Sequence, residues 1–262
     1  MKSRLLFGIP VAILLIAFSV DIASIYRNHR HLARMSLHPE LSSEKLDDLK
    51  NLVNKNFIKQ SDGSYISEDA TLLIKKISDG EKFKAPNWRR LLPGFAAMGN
   101  KCKQQRQKAS LQKVCIKAYE VAPLETGLIY YQFEPTSYFD KQIEDLDLNQ
   151  DSYYIQRIAI PSTERLKDIS LKNAKSALTL IFDFVLQQHT RHRFKLPLDA
   201  FIQSIGFVDG RPIHNHLTNL TYDRKVPNQA ELQTHFNELR SWLADNRPEL
   251  IPHYNTLLEE LN

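Results

Sequence analysis

The chain has 262 residues, of which 42% are hydrophobic and 25% are charged; this ordinary globular composition excludes a disordered or fibrous chain. Glycine occurs only 8 times, roughly half of the usual share of about 7%, which disfavours strand-rich folds with many tight turns and favours helices. The formal net charge of +5 indicates a preference for anionic partners such as phospholipid, nucleic acid or acidic protein.

An uncharged apolar run occupies residues 5 to 20 and follows Lys2 and Arg4. A basic start followed by an apolar run is typical of an export signal. As a helix the run is about 24 Å long, slightly shorter than the roughly 30 Å hydrocarbon core of a bilayer. It predicts a membrane anchor, and a signal peptide cleaved after Ser19 is the alternative.

The next elements are predicted to be helical. Ser42 or Ser43 can cap a helix, because a serine side chain accepts a hydrogen bond from the first free amides and acidic residues follow it. The Ser-Asp-Gly-Ser sequence at residues 61 to 64 indicates a turn. A second helix is expected at about residues 67 to 77.

The segment from Lys82 to Tyr119 is the most unusual in charge, since it contains ten basic residues and no Asp or Glu. Apolar residues between Leu111 and Ala122 recur at steps of three and four, which predicts a helix. A strand at residues 114 to 121 is the competing interpretation. An earlier helix, joined to this one through a loop at residues 103 to 109, would complete a helical hairpin.

The only cysteines, Cys102 and Cys115, lie in this segment. A single local pair suits a disulfide that pins the hairpin in an exported domain, whereas two buried free thiols are the alternative. No four-ligand zinc set is present, and no cofactor is predicted. Basic residues flank the apolar run on both sides and leave its orientation open. The disulfide decides it, so the domain is predicted to face the periplasm or the cell exterior.

The second half of the chain begins with an acidic stretch at residues 134 to 151. Residues 153 to 160 have the composition of a strand. A long helix is expected from Thr163 to about His189. Asn228 and Pro248 then begin two C-terminal helices.

The predicted fold is therefore mainly α. We expect a membrane anchor or signal segment at residues 1–25 and a basic juxtamembrane linker at 26–43. A soluble, mainly helical domain with at most a small β element follows at 44–262.

The basic segment is the leading candidate for a functional surface. It is expected to bind an anionic lipid, an envelope polymer or an acidic protein surface, although a solvated helical face balanced by the acidic stretch explains it equally simply. Nucleic acid is not expected, because no known binding module is visible. The candidate side chains are Lys101, Lys103, Arg106, Lys108, Lys113 and Lys117.

His214 and His216 are candidate metal ligands. Two imidazoles at i and i+2 in an extended segment point the same way and can share a zinc ion, with His235 or Asp209 as a further ligand. The neighbouring Asp, Gly and Pro residues indicate a turn instead. Nucleophile-elbow, zinc-protease, dinucleotide-binding and P-loop motifs are absent from the sequence.

These features predict a non-enzymatic interaction or assembly protein that is anchored to a membrane and presents a basic face. One alternative is an envelope hydrolase with a histidine-based metal site, which a stoichiometric metal would favour. The other is a cytoplasm-facing protein that binds anionic lipid or nucleic acid, which reduced cysteines would favour.

Overall fold

A computed structural model describes residues 36–77, 93–197, 201–222 and 229–260, and in the longest helix it describes side chains from residue 104 onward. These described residues form a mixed α/β fold, with 52% of them in helices and 21% in strands. A five-stranded antiparallel sheet dominates the first half of the chain. The predicted mainly α fold with at most a small β element is therefore wrong.

The apolar run at residues 5 to 20, for which the sequence predicts a membrane anchor, lies outside the described residues. Among the residues that the structure does describe, no helix has the length and apolarity needed to cross a bilayer. This finding contradicts the prediction of a single-pass, signal-anchored membrane protein with a periplasmic or extracellular domain.

The α-helices are numbered in chain order. They are α1 (Ser43–Val53), α2 (Pro93–Val121), α3 (Pro123–Thr126), α4 (Ser162–Asp168), α5 (Leu171–Gln187), α6 (Gln229–Asn246) and α7 (Ile251–Glu259).

The strands are numbered in the same way. They are β1 (Phe57–Lys59), β2 (Ser64–Ser67), β3 (Leu72–Lys76), β4 (Leu128–Gln132), β5 (Gln142–Ile143), β6 (Leu146–Asp147), β7 (Tyr153–Arg157), β8 (Ile160–Pro161), β9 (Phe194–Lys195), β10 (Ile205–Val208), β11 (Arg211–His214) and β12 (Thr221–Tyr222).

The main sheet has the strand order β1-β2-β3-β7-β4. The predicted turn at residues 61 to 64 joins β1 to β2, and Gly63 adopts a φ of 77° there, a conformation that glycine reaches without a steric penalty. The predicted helix at residues 67 to 77 is wrong, because Leu72 and Ile74 alternate with less buried residues along β3. A period of two buries one face of a strand.

Helices cover both faces of the sheet. Ser42 caps α1 as predicted, since its side chain accepts a hydrogen bond from the Lys45 amide. Leu49 and Val53 of α1 pack into one cluster with Ile74 and other residues of the sheet. On the opposite face, α2 buries a second cluster whose members include Val114, Cys115, Tyr131 and Tyr154. The sheet is consequently a central layer with two apolar faces.

The long helix α2 is continuous, which contradicts both the predicted hairpin and the predicted disulfide. Cys102 and Cys115 both lie in it, and thirteen helical residues span about 20 Å. A disulfide requires Cα atoms within about 7 Å. Cys115 is a free thiol and is fully buried, so the argument that a disulfide places the domain outside the cell also fails.

The second half of the chain packs helices around a small antiparallel sheet of order β11-β10-β8. The single helix expected from Thr163 to His189 is two helices, because Ser170 caps α5 by accepting a hydrogen bond from the Asn173 amide. Phe182 of α5 stacks on Phe236 of α6 with a centroid separation of 4.5 Å. This half supplies one wall of the cleft described below.

Candidate anion-binding cleft

The predicted basic side chains do not form one face of α2. Arg106, Lys113 and Lys117 are separated by seven and four positions and share one side of the helix, whereas Lys108 follows Arg106 by two positions and points elsewhere. Lys101 and Lys103 belong to the helix, and their side chains lie outside what the structure describes.

Lys113 and Lys117 make contacts within the fold. Lys113 donates a hydrogen bond to the Tyr222 carbonyl oxygen at 3.4 Å, and its Nζ lies 5.2 Å from the centroid of the Tyr222 ring. Lys117 forms an ion pair with Glu120, three positions further along α2. Lys113 therefore holds the β12 segment against α2, and Lys117 already has a carboxylate partner.

Lys108 lies in a cleft of about 610 Å³ between the end of β3, the side of α2 and the segment that leads into β12. This volume falls within the range of roughly 300–1,000 Å³ that is usual for small-molecule sites. Among the described residues, the lining contains three lysines and no carboxylate. Its residues are Lys75, Lys76, Ile77, Gln107, Lys108, Ser110, Leu111, Thr218, Asn219, Leu220 and Thr221.

The alternation of β3 distinguishes the two strand lysines. Lys75 is paired in register with Tyr154, and directly opposed residues of an antiparallel pair share a face. Tyr154 belongs to the cluster under α2, so Lys75 lies on the α2 face. Lys76 lies on the other face, where its Nζ is 2.8 Å from Asp151 Oδ1. Of the two strand lysines, Lys75 is therefore the one on the α2 side of the sheet, and Lys108 of α2 lines the same cleft.

Lys75 has only a weak partner in the fold. Its Nζ is 3.8 Å from Asp62 Oδ2, and both side chains are substantially exposed. Hydrogen bonds from the Ser64 hydroxyl and amide lower the pKa of Asp62, so this carboxylate is ionised near neutral pH. An exposed ion pair of this kind contributes at most about 1 kcal/mol. Lys75 can therefore turn towards an anion at small cost.

His214 is not available as a metal ligand in this arrangement. It is fully buried at the end of β11, with its Nε2 3.0 Å from Gln188 Oε1 and its ring 4.8 Å from the ring of Phe184. Burial lowers the pKa of His214 to about 3, so the imidazole is neutral in the folded protein. Its Nδ1 has no hydrogen-bond partner.

His216 is exposed immediately before the 3₁₀ turn Leu217–Asn219, which contributes to the cleft wall. Partial desolvation of its ring lowers its pKa, and the Lys75 cation acts in the same direction. The proposed third ligands are engaged separately: Asp209 pairs with Arg157 at 3.2 Å, and His235 Nε2 lies 3.1 Å from the Pro197 carbonyl oxygen. In the described part of the chain, no three His, Cys, Asp or Glu side chains are placed to hold a metal ion.

A buried polar connection joins the two halves of the fold. Gln156 of β7 donates hydrogen bonds from Nε2 to the carbonyl oxygens of Thr126, at 2.8 Å, and His214, at 2.6 Å. His214 in turn contacts Gln188, which begins a π-helical turn after α5. Sequence reasoning missed this network, because nothing in the spacing of these residues shows that they meet.

The cleft residues Lys75 and Lys76 were also absent from the sequence-based candidates. The sequence pattern predicts a helix at residues 67 to 77, and a helix there gives no reason to expect these lysines beside α2 and residues 218 to 221. An uninterrupted pair of lysines after Leu-Leu-Ile is the only local signal that marks the end of β3.

Comparison of the sequence with protein-family models and with curated proteins finds no match.

Proposed function

We propose that this protein is a non-enzymatic binding protein that recognises an anionic partner in the cleft between β3, α2 and the segment leading into β12. The observation that carries the proposal is the cleft lining, which includes Lys75 and Lys108 and has no carboxylate among the residues that the structure describes. An anion gains charge-assisted hydrogen bonds from ammonium groups, and these are about twice as strong as neutral ones.

The polar lining supports the same proposal. Ser110 of α2 and Thr218, Asn219 and Thr221 of the opposite wall supply hydroxyl and amide groups that donate to anionic oxygens. Residues with donor groups therefore line the cleft from two separate elements. A site that converges from two elements favours an enclosed anionic group over a flat charged surface.

The test is equilibrium binding of two anionic probes, pyrophosphate and a heparin hexasaccharide, to the full chain at low salt. We expect binding that weakens as salt is raised, because screening reduces the attraction between charges. The double variant Lys75→Met, Lys108→Met should lose about 100-fold in affinity, since each charged hydrogen bond is worth roughly tenfold.

The matched control is Lys117→Met, which removes the same charge from α2 at a position outside the cleft lining. Its affinity for both probes should remain close to that of the parent. Failure of both probes to bind, or equal losses in the control and the double variant, would contradict a specific anion site.

A further inference from the structure

A separate pocket of about 440 Å³ lies where the main sheet meets the small sheet of β11, β10 and β8. It shares no lining residue with the cleft described above, and its volume also suits a small molecule. Its leucine, isoleucine and phenylalanine residues come from α1, β3, β4, β8, β10 and the link between β7 and β8. They are Leu52, Leu72, Ile129, Ile158, Ile160 and Phe207.

Part of this apolar lining is open to solvent. Ile160 leaves 52% of its surface exposed, whereas Phe207, its partner in register, leaves only 4%. Ile129 and Ile158 are half-buried. Covering apolar surface is favourable roughly in proportion to its area, so an apolar group is the first requirement of an occupant.

The same pocket carries one cation and one anion. Among the described residues, Arg157 and Asp209 are the only charged members of its lining. Arg157 Nη1 lies 3.2 Å from Asp209 Oδ2, and the two side chains are 54% and 83% exposed. The contact uses one nitrogen and one oxygen, whereas a fully engaged guanidinium and carboxylate share two parallel hydrogen bonds. Both groups therefore keep hydrogen-bonding capacity for a ligand.

This balance of charge favours a ligand that carries both signs. A lone carboxylate attracted to Arg157 would be repelled by Asp209 beside it, and a lone ammonium would meet the opposite conflict. A free α-amino acid bears an ammonium and a carboxylate on one carbon, so it gains from both partners. We infer that the pocket binds a free amino acid with an apolar side chain, its carboxylate at Arg157 and its ammonium at Asp209.

The rim of the pocket is ordered by the fold. The Ile158 amide donates a 2.9 Å hydrogen bond to the Thr71 carbonyl oxygen, which ties the link after β7 to the start of β3. The Thr71 hydroxyl donates to Asp69 at 2.8 Å, and Lys55 pairs with the same carboxylate. These neighbouring charges are thus matched within the fold. Walls that are already ordered lose less entropy when a ligand binds.

The test is a methyl NMR titration of the full chain, labelled at the isoleucine δ1 methyl groups, with leucine and with alanine. Leucine should shift the signals of Ile129, Ile158 and Ile160. It should bind at least about tenfold more tightly than alanine, because its larger side chain covers more of the apolar lining.

Two further probes distinguish a free amino acid from the end of a polypeptide. N-acetylleucine lacks the ammonium and resembles a carboxyl terminus, whereas leucinamide lacks the carboxylate and resembles an amino terminus. Each should bind about threefold more weakly than leucine, since an ion pair exposed to solvent contributes little.

Asp209→Asn removes the negative charge and retains a residue type that tolerates the φ of 50° at this position. It should weaken leucine about threefold and strengthen N-acetylleucine, whose carboxylate is no longer repelled. The matched control is Asp145→Asn, the same substitution at a φ of 57° in an exposed residue that pairs with Lys59 outside the pocket. Its affinities for both probes should stay close to those of the parent.

Three results would overturn the inference. The first is the absence of shifts at Ile129, Ile158 and Ile160, or equal affinities for leucine and alanine. The second is binding of N-acetylleucine or leucinamide as tight as that of leucine, which would indicate a polypeptide terminus instead. The third is an equal loss of leucine affinity in Asp209→Asn and Asp145→Asn. Because pyrophosphate and the heparin hexasaccharide test a different cleft, either proposal can fail while the other stands.

Discussion

The buried His214 predicts that acid destabilises this fold through one identifiable group. The structure keeps its imidazole neutral, because burial lowers its pKa to about 3, while an unfolded chain titrates histidine near its ordinary value of about 6.5. Between these two values the unfolded state binds a proton that the folded state excludes. Stability from this group is complete above the unfolded pKa and is lost as the pH falls towards the folded pKa.

The magnitude follows from the two pKa values. One pKa unit corresponds to about 1.4 kcal/mol, and the linkage relation gives a loss of about 2.5 kcal/mol from His214 between about pH 7 and about pH 4.5. That is a large part of the roughly 5–15 kcal/mol of a typical domain. Other buried histidines, such as His189, whose pKa burial lowers to about 4, add their own losses.

The assay is urea unfolding of the parent and of His214→Gln at the two pH values. Glutamine can still donate to Gln188 Oε1 but does not titrate, so the stability difference between parent and variant should shrink by about 2.5 kcal/mol on acidification. The contributions of the other histidines cancel in this difference. Phe182→Leu is the control, because it weakens the stacked core contact with Phe236 and should cost a similar amount at both pH values. A stability difference for His214→Gln that does not change with pH would refute the reasoning.

Three further predictions follow from the fold. Peptide mapping without reductant should find no link between Cys102 and Cys115, and a mapped disulfide would show that α2 is not continuous. Cys115 should resist alkylation until the protein unfolds, because burial raises the pKa of its thiol. Gly206→Ala should lower the free energy of unfolding, measured by urea titration, by about 1–3 kcal/mol, because a Cβ there would lie 2.6 Å from Ala159 Cβ. Unchanged stability would contradict the close packing. Arg157→Gln should lower the free energy of unfolding by less than about 1 kcal/mol, since its partner carboxylate, that of Asp209, is exposed. A larger loss in the same titration would contradict the view that this ion pair is a weak surface contact.

The helix at the start of the described chain could be predicted from the sequence, because its signals are local. Ser42 caps it and Leu49 and Val53 form its buried stripe. The predicted strand at residues 153 to 160 is confirmed over residues 153 to 157. It is buried along almost its whole length, so its composition alone identifies it.

The low glycine content did not reveal the sheets, because several of their turns place another residue at a positive φ. Ala70, Asp145 and Asp209 all adopt positive φ values of 50–57° without being glycine. A low glycine content therefore did not exclude a sheet. The short apolar run of β3 fits a helix as well as a strand, and only its pairing with β2 and β7 decides between them.

The cleft was beyond sequence reasoning for a related reason. Its walls come from residues 75 to 77, 107 to 111 and 218 to 221, which are distant in the chain and meet only through the fold. Of the four basic candidates whose side chains the structure describes, Lys108 is the one that lines it. The charge of the segment could be read from the sequence, but the direction of each side chain depends on the helix being continuous.

The position of β7 has a consequence for the synthesis of this protein. In the described sheet β7 lies between β3 and β4, and β4 pairs with no other strand. A ribosome must therefore release residue 157 before the sheet can close, and until then the growing chain carries unpaired strand edges that attract other chains. Truncation before residue 153 should yield inclusion bodies, and a chaperone that shields strand edges should matter most during translation of the first half.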